Sequence, residues 1–145
     1  MAIVPARAED LAEVLALLAA AGLPAAGVAD HFPRRFLVAR DPADGALAGT
    51  AGVEAHGRAG LLRSVAVRAD RRGTGLGQEL VRASAALARE EGLAELYLLT
   101  TTAEGFFPRL GFEPIAREEL PPELEGSEEL RGACPASAAA MRLRL

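Results

Sequence analysis

The chain has 145 residues, half of them apolar, with twenty acidic side chains against sixteen basic ones and a formal net charge of −4. This length suits a single domain, residues 1–145, with a substantial core, and the acidic balance speaks against nucleic acid as a partner, since counterion release needs a basic surface. All sixteen basic residues are arginine, which excludes a P-loop lysine and a lysine Schiff base.

Ala2 to Pro5 reads as a short apolar strand. Ala8 to Ala21 follows as an amphipathic helix, with Leu11, Val14, Leu15 and Leu18 on one face, acidic residues in its first turns, and Gly22 and Pro24 closing it. Ala25 to Phe32 is a candidate second short helix, Phe36 to Arg40 a strand, and Asp41 to Gly45 a turn that leads into a strand from Ala46 to Ala55. His56-Gly57-Arg58 makes a hairpin link to the strand Leu61 to Val67. A helix from Gly75 to Glu91, a buried strand from Ala94 to Thr100, a short helix from Ala103 to Leu110 and a strand from Phe112 to Ile115 come next. The acidic, proline-bearing stretch from Glu118 to Gly132 reads as a loop with a helical turn or two, and Ala139 to Leu145 alternates as a last strand. The pattern describes an α/β (α+β) fold, one mixed sheet with helices on both faces.

Leu11 to Leu23 is the most apolar stretch, but Glu13 interrupts it and it is too short to span a bilayer. No charged-then-apolar signal pattern opens the sequence, and the lone Cys134 rules out an intrachain disulfide. A cytoplasmic setting with no membrane partner is expected.

The richest chemistry lies between Leu61 and Val81, where a strand runs into Arg71-Arg72-Gly73-Thr74-Gly75-Leu76-Gly77 and then into a helix. Glycines permit turn angles and close ligand approach, and the first amides of the helix have no intrahelical acceptor. The helix dipole adds positive potential there, and Arg71 and Arg72 stand beside it. A phosphate-bearing ligand fits such a turn; a tight strand-to-helix connection without ligand is the plainer alternative. The turn comes halfway along the chain rather than in a first strand–helix unit, which separates it from a dinucleotide-binding fingerprint.

Arg72-x-x-Gly75-x-Gly77 after Val65-Ala66-Val67 resembles the coenzyme A pyrophosphate signature of the GNAT superfamily of acetyl-CoA-dependent N-acetyltransferases. Downstream, Leu98-Leu99-Thr100 followed by Ala103-x-x-Phe106-Phe107-x-x-x-Gly111-Phe112 is similar to the family's splayed strand, short helix and closing hairpin. Glu95 to Phe112, Leu120-Pro121-Pro122 and Cys134-Pro135-Ala136-Ser137 look like a branch associated with arsenic-resistance genes. Leu99-Thr100-Thr101 to Gly111-Phe112 also resembles the acetyltransferase domain of N-acetylglutamate synthases. The resemblance implies a twisted, mostly antiparallel sheet of six to seven strands, acetyl-CoA as cosubstrate, a small amine such as an amino acid or glutamate-like compound as acceptor, a homodimer, direct acetyl transfer, and no metal. An acyl-CoA-binding module with little turnover and a protein or peptide N-acetyltransferase are the competing functions.

On this resemblance Arg72, Gly73, Thr74, Gly75, Leu76, Gly77 and Gln78 would hold the pyrophosphate, mainly through backbone amides. Val65, Ala66 and Val67 would offer main-chain groups to the pantetheine arm, with an amide near Val65 as oxyanion donor and Phe106 and Phe107 completing the cofactor site. Glu54 is the candidate general base, or else a solvent-facing strand residue; His56, in a glycine-flanked turn, reads as a surface histidine. Arg63 is either a ligand for an acceptor carboxylate or an exposed strand arginine. Ser64 is a polar candidate for the reaction centre without a Ser-His-Asp arrangement, and Thr100 a candidate acceptor contact. Many family members carry a tyrosine acid where Phe107 stands, so Tyr97, a bound water or solvent would have to protonate the leaving thiolate; Tyr97 also fits a core aromatic with a wet tip. Cys134 has no partnered base and is taken neither as nucleophile nor as arsenic ligand. The acidic segment 118–129 reads as a lid, a dimer contact or, on charge alone, a solvated loop.

Overall fold

The structure is a computed structural model and describes residues 1–130 and 137–145. Seven strands form one sheet in the order β1-β2-β3-β4-β5-β7-β6, comprising β1 (Ile3–Pro5), β2 (Phe36–Arg40), β3 (Leu47–His56), β4 (Ala59–Val67), β5 (Glu95–Thr100), β6 (Glu113–Ile115) and β7 (Ala139–Arg144). Every neighbouring pair is antiparallel except β4 and β5, which run parallel. The mixed, mostly antiparallel sheet expected from the sequence is therefore present, with its last strand inserted between β5 and β6.

Helices α1 (Leu11–Ala20) and α2 (Val28–His31) cover one face, and α3 (Leu76–Glu90) covers the other. In α3 the buried residues Leu76, Leu80, Val81, Ala85 and Ala88 recur at helical spacing, so one stripe meets the sheet, Leu76 and Leu80 at Leu37, Ala48 and Ala51, and Val81, Ala85 and Ala88 at Val53, Leu62, Leu96 and Leu98. On the α1 face Val14, Leu17 and Leu18 pack with Phe36, Val38 and Ala66. Further along that face Leu61 and Tyr97 are covered by Leu124, Leu120 and Leu130. The acidic stretch is thus not a solvated loop. Its leucines dock on the sheet, with 3-10 turns at Arg117–Glu119 and Pro122–Gly126. Cys134 and the end of the segment, from 131 to 136, lie outside the described residues.

Two helices are shorter than their sequence patterns. The first opens as a 3-10 turn, Ala8–Asp10, in which the Arg7 amide donates to Asp10 Oδ2 at 2.8 Å. Between Ala103 and Leu110 only Phe107–Leu110 coils, again as 3-10, because Pro108 has no amide to donate and can stand only in a first turn. Among the described residues no helix is long and apolar enough to cross a membrane.

Two features of β4 position the site. β4 pairs with β5 only over Ala59–Leu61 against Glu95–Tyr97, after which the strands part. Against β3, Thr50 faces Ala66 and Gly52 faces Arg63, which leaves an extra residue on β4. That irregularity contains Ser64, with φ at +59°, and is a β-bulge.

The sheet is held tightly beside the bulge. A Cβ added at Gly52 would lie inside the Phe36 ring, which is itself buried. Gly52→Ala is expected to cost about 1–3 kcal/mol through overpacking, read as a lowered thermal midpoint; an unchanged midpoint would show that the ring gives way without strain.

Candidate active site

Where β4 and β5 separate, a cavity of about 460 Å³ opens between them. One wall is Leu62 to Val65 of β4, the other Leu98 to Thr100 of β5 with Thr101 to Ala103 and Phe107. The loop Gly22-Leu23-Pro24 after α1 and Glu129 close it from the α1 side. From Leu62 onward β4 has no strand partner on its β5 side, so its backbone faces the cavity. Among the residues expected to form the site, Arg63, Ser64, Val65, Thr100 and Phe107 line this space, and Glu54 does not.

The strand leads directly to the glycine turn. After Val67 a 3-10 turn at Ala69–Arg71 precedes the glycines, and Gly75 caps α3 at φ +88°. A side chain there would meet no atom within 4 Å but would be strained. The Glu79 amide donates to the Gly75 carbonyl at 3.1 Å as the first helical bond, leaving the amides of Gly75 through Gln78 without intrahelical acceptors. Leu76 turns its side chain into the core, and Phe106 packs over Gly77, 3.4 Å from where a Cβ would stand. Thr74 Oγ1 donates to the Arg71 carbonyl at 2.6 Å.

The arginines beside this turn are arranged differently from expectation. Arg71 is bound to Asp41, and Arg68 to Asp41, Asp44 and Asp70. Asp41 is buried, and the Ala43 amide together with Arg71 and Arg68 holds its carboxyl below the usual range. Arg71 therefore clamps the turn after β2 to the end of β4 rather than offering its charge outward. Arg72 is exposed, with Nε 3.2 Å from the Val67 carbonyl.

Below the cavity lies a charged cluster. Arg63, whose side chain has no exposed surface, donates from Nη1 to Glu54 Oε2 at 2.6 Å, from Nε to Ser64 Oγ at 3.2 Å and from Nη2 to the Pro24 carbonyl at 3.2 Å. Glu54 Oε1 lies 2.9 Å from His56 Nε2 and 3.6 Å from His31 Nε2. Neither an exposed strand arginine nor a solvent-facing glutamate survives this geometry, and His56 is no free surface histidine. Glu54 stands behind Arg63 with both oxygens engaged. Burial raises its pKa, but the bonds from Arg63 and His56 outweigh burial and hold it below the ordinary value, which makes it a poor base. Arg63 and Glu54 face each other because they sit diagonally on adjacent strands and share one face.

The remaining expected residues are placed as follows. Ala66 is packed on the α1 face and Val67 against the α3 side. Thr100 Oγ1 accepts from the Ala103 amide at 3.1 Å and so caps the turn that leaves β5. Tyr97 lies among Leu61, Ala59 and Leu124, away from the cavity lining, with its hydroxyl donating to Glu95 at 2.7 Å. Burial and the adjacent Glu95 push its pKa to about 12. It cannot serve the cavity as an acid.

Glu129 was hidden in the sequence by its acidic neighbours. It is 4% exposed, lines the cavity, and lies 3.6 Å from Arg63 Nε without a hydrogen bond. Leu124 and Leu130, apolar residues spaced through an acidic stretch, were the available signal that this segment packs.

Residues 33–114, more than half of the chain, match the family model described as acetyltransferase (GNAT) domain. The chain belongs to the GNAT acetyltransferase family. An uncharacterised N-acetyltransferase of Chlorobaculum tepidum is 38% identical over 43% of this chain and 40% of its own length. The amino-acid acetyltransferase of Ectopseudomonas mendocina is 42% identical over 43% of this chain, which spans 14% of that protein. Among solved structures, Rv2747 from Mycobacterium tuberculosis, in complex with CoA and NLQ, superposes with a TM-score of 0.82 at 23% identity over 100% of this chain and 99% of its own. The N-acetylglutamate synthase of Neisseria gonorrhoeae, complexed with coenzyme A and N-acetyl-glutamate, gives 0.83 at 22% identity over 99% of this GNAT chain and 35% of its own. At these identities the structural matches establish the shared fold.

Removing one partner of the buried pair leaves an uncompensated charge. Glu54→Gln is expected to lower stability by about 3–5 kcal/mol at neutral pH, measured by urea unfolding. The folded pKa of Glu54 lies below 4.5, so its contribution is present above the unfolded value and is lost as pH falls through the folded one. The difference between wild type and variant should therefore shrink in acid; a constant difference would remove the ion pair as its cause.

Proposed function

We propose that this protein transfers the acetyl group of acetyl-CoA directly to the amine of a small acceptor, an amino acid or a glutamate-like compound. The observation that carries the reading is the continuity of two open main-chain surfaces. An unpaired β4 edge at the splay leads, through the 3-10 turn at Ala69–Arg71, into a glycine turn whose helix amides lack intrahelical acceptors. A long acyl carrier with a diphosphate near one end needs both, one for its extended arm and one for its anion.

In this reading the amides from Gly73 to Gln78 grip the diphosphate, with Arg72 and Thr74 at the rim, and the β4 backbone at Val65, Ala66 and Val67 binds the pantetheine arm as an added strand. The bulge at Ser64 frees main-chain groups from the ladder, so an amide near Val65 can receive the negative charge that develops on the thioester oxygen. Phe107 walls the acyl end, Phe106 packs over Gly77 beside the turn, and Thr100 stands across from β4 on the acceptor side. Arg63 and Glu54 hold the floor in place and do not meet the acceptor. The acceptor class rests on the amino-acid acetyltransferases among the relatives.

Phe107 has no proton to give, and the Tyr97 hydroxyl is bound to Glu95 away from the cavity lining. That combination favours one second reading, an acyl-CoA-binding module with little turnover.

Calorimetric titration with acetyl-CoA tests the anion turn, and thiol release with a panel of amino acids, glutamate included, tests transfer. Saturable binding with amino-acid-dependent release is expected. Binding without release would select the module, and release with peptides alone would change the acceptor. Gly75→Ala, strained at its left-handed position by about 1–2 kcal/mol, should weaken acetyl-CoA roughly tenfold; equal affinity would show that the turn is not the diphosphate site.

A further inference from the structure

We propose that Glu129 is the residue that receives the acceptor's ammonium group and takes its proton. The inference rests on the transfer reading above and adds the base that reading lacks. Among the described residues the cluster under the cavity contains one guanidinium and two carboxylates, and the charges are not shared equally. Arg63 is paired with Glu54 through a 2.6 Å hydrogen bond, whereas Glu129 stays at 3.6 Å and lacks a hydrogen bond to its carboxylate among the described residues. A carboxylate 4% exposed, with its remaining surface toward a cavity, is an excess negative charge facing the space where an acceptor must enter. An ammonium group is the complementary ligand.

The described neighbours support this division of labour. From β4 Glu129 faces Arg63, and from β3 Glu54, which His56 of the same strand and His31 of α2 hold on its far side. The Gly22-Leu23-Pro24 loop and the turn Thr100 to Ala103 bring no titratable side chain to it. Burial, partly offset by Arg63 and reinforced by Glu54, pushes its pKa up to about 7, near the operating range that suits a general base. Glu54, held low and occupied, has neither property.

The step balances simply. The acceptor's R–NH3+ gives one proton to the Glu129 carboxylate, and the resulting amine forms its N–C bond to the thioester carbonyl. As that adduct collapses, the C–S bond breaks, the sulfur leaves with the electron pair and takes the second nitrogen proton, giving amide and thiol. Glu129 then returns its proton to solvent.

Glu129→Gln and Glu129→Asp decide the matter, with acetyl-CoA calorimetry alongside thiol release using the best acceptor of the panel. Expected are unchanged acetyl-CoA affinity, a loss of about 100-fold or more in kcat/KM for the glutamine variant, and partial recovery in the aspartate variant. The wild-type profile should show an acid limb with a midpoint near 7 that the glutamine variant lacks. Because the raised pKa of Glu129 withdraws stability as pH rises from about 4.5 to about 7, Glu129→Gln should melt higher than wild type at about pH 8 and not in acid; this also establishes that the variant is folded. Retention of kcat/KM within about threefold, or an acid limb that persists in a folded variant, would overturn the assignment. Failure of the wild type to bind acetyl-CoA would instead overturn the transfer reading, and this base with it.

Discussion

β4 and β5 are hydrogen-bonded for three residues and then part, and the site depends on that parting. A parallel pair in a sheet is normally buried and continuous, because each unpaired backbone group inside a protein carries a desolvation cost. Here the sheet remains whole on the outer sides of the two strands. β3 still pairs with β4 as far as Val67, and β7 with β5 as far as Thr100. The gap is thus a wedge held open by flanking ladders. The bulge at Ser64 bends β4 inside the wedge that opens after Leu61, and the Thr100 cap turns the chain away on the other side. Along the β4 edge such a surface is made mainly of main-chain groups.

A cleft through the middle of a sheet exposes the charges beneath it to a low-dielectric setting, and this constrains which of them can be reactive. Arg63 has no route to solvent, so its positive charge must be balanced where it stands, and Glu54 balances it. His56 and His31 then fix Glu54 from behind. Once that pair is neutral, a further carboxylate in the same cluster finds little left to stabilise its charged form. Burial is the main cause of the raised pKa of Glu129, which Arg63 offsets only in part, while the hydrogen bonds from Arg63 and His56 overcome burial at Glu54 and hold it low.

The sequence made the main-chain site visible more readily than the side-chain cluster, for a physical reason. Glycine spacing, strand alternation and the Pro108 to Gly111 punctuation are local patterns, and β2, β3, α3 and β7 all begin or end within two residues of where they read. The glycine turn from Gly73 to Gly77 belongs to this local class. Arg63 and Glu54 were singled out as residues, but their pairing is diagonal across two strands and depends on the register of the Gly57-Arg58 hairpin. Asp41 read as an ordinary turn residue because its partners Arg68 and Arg71 lie 27 and 30 residues away. Glu129 was the hardest to see. It belongs to a run of acids that charge statistics assign to solvent, and only the docking of Leu124 against Leu61 and Tyr97 brings it inside.

The Asp41 clamp also bears on how a diphosphate would be held. An exposed arginine pair next to a glycine turn would attract any phosphate, with strong dependence on salt. Tying Arg68 and Arg71 to Asp41, Asp44 and Asp70 leaves Arg72 as the exposed guanidinium at the turn, so the orientation of a bound diphosphate would be set by the helix-start amides. Amides fixed at a helix start distinguish ligands by shape, because each points along one direction, whereas a flexible guanidinium follows charge wherever it lies. The acidic residues around the turn are therefore compatible with an anion site. They hold the arginines that fasten the β2–β3 turn to the end of β4, and so keep the open amides aligned with the open strand.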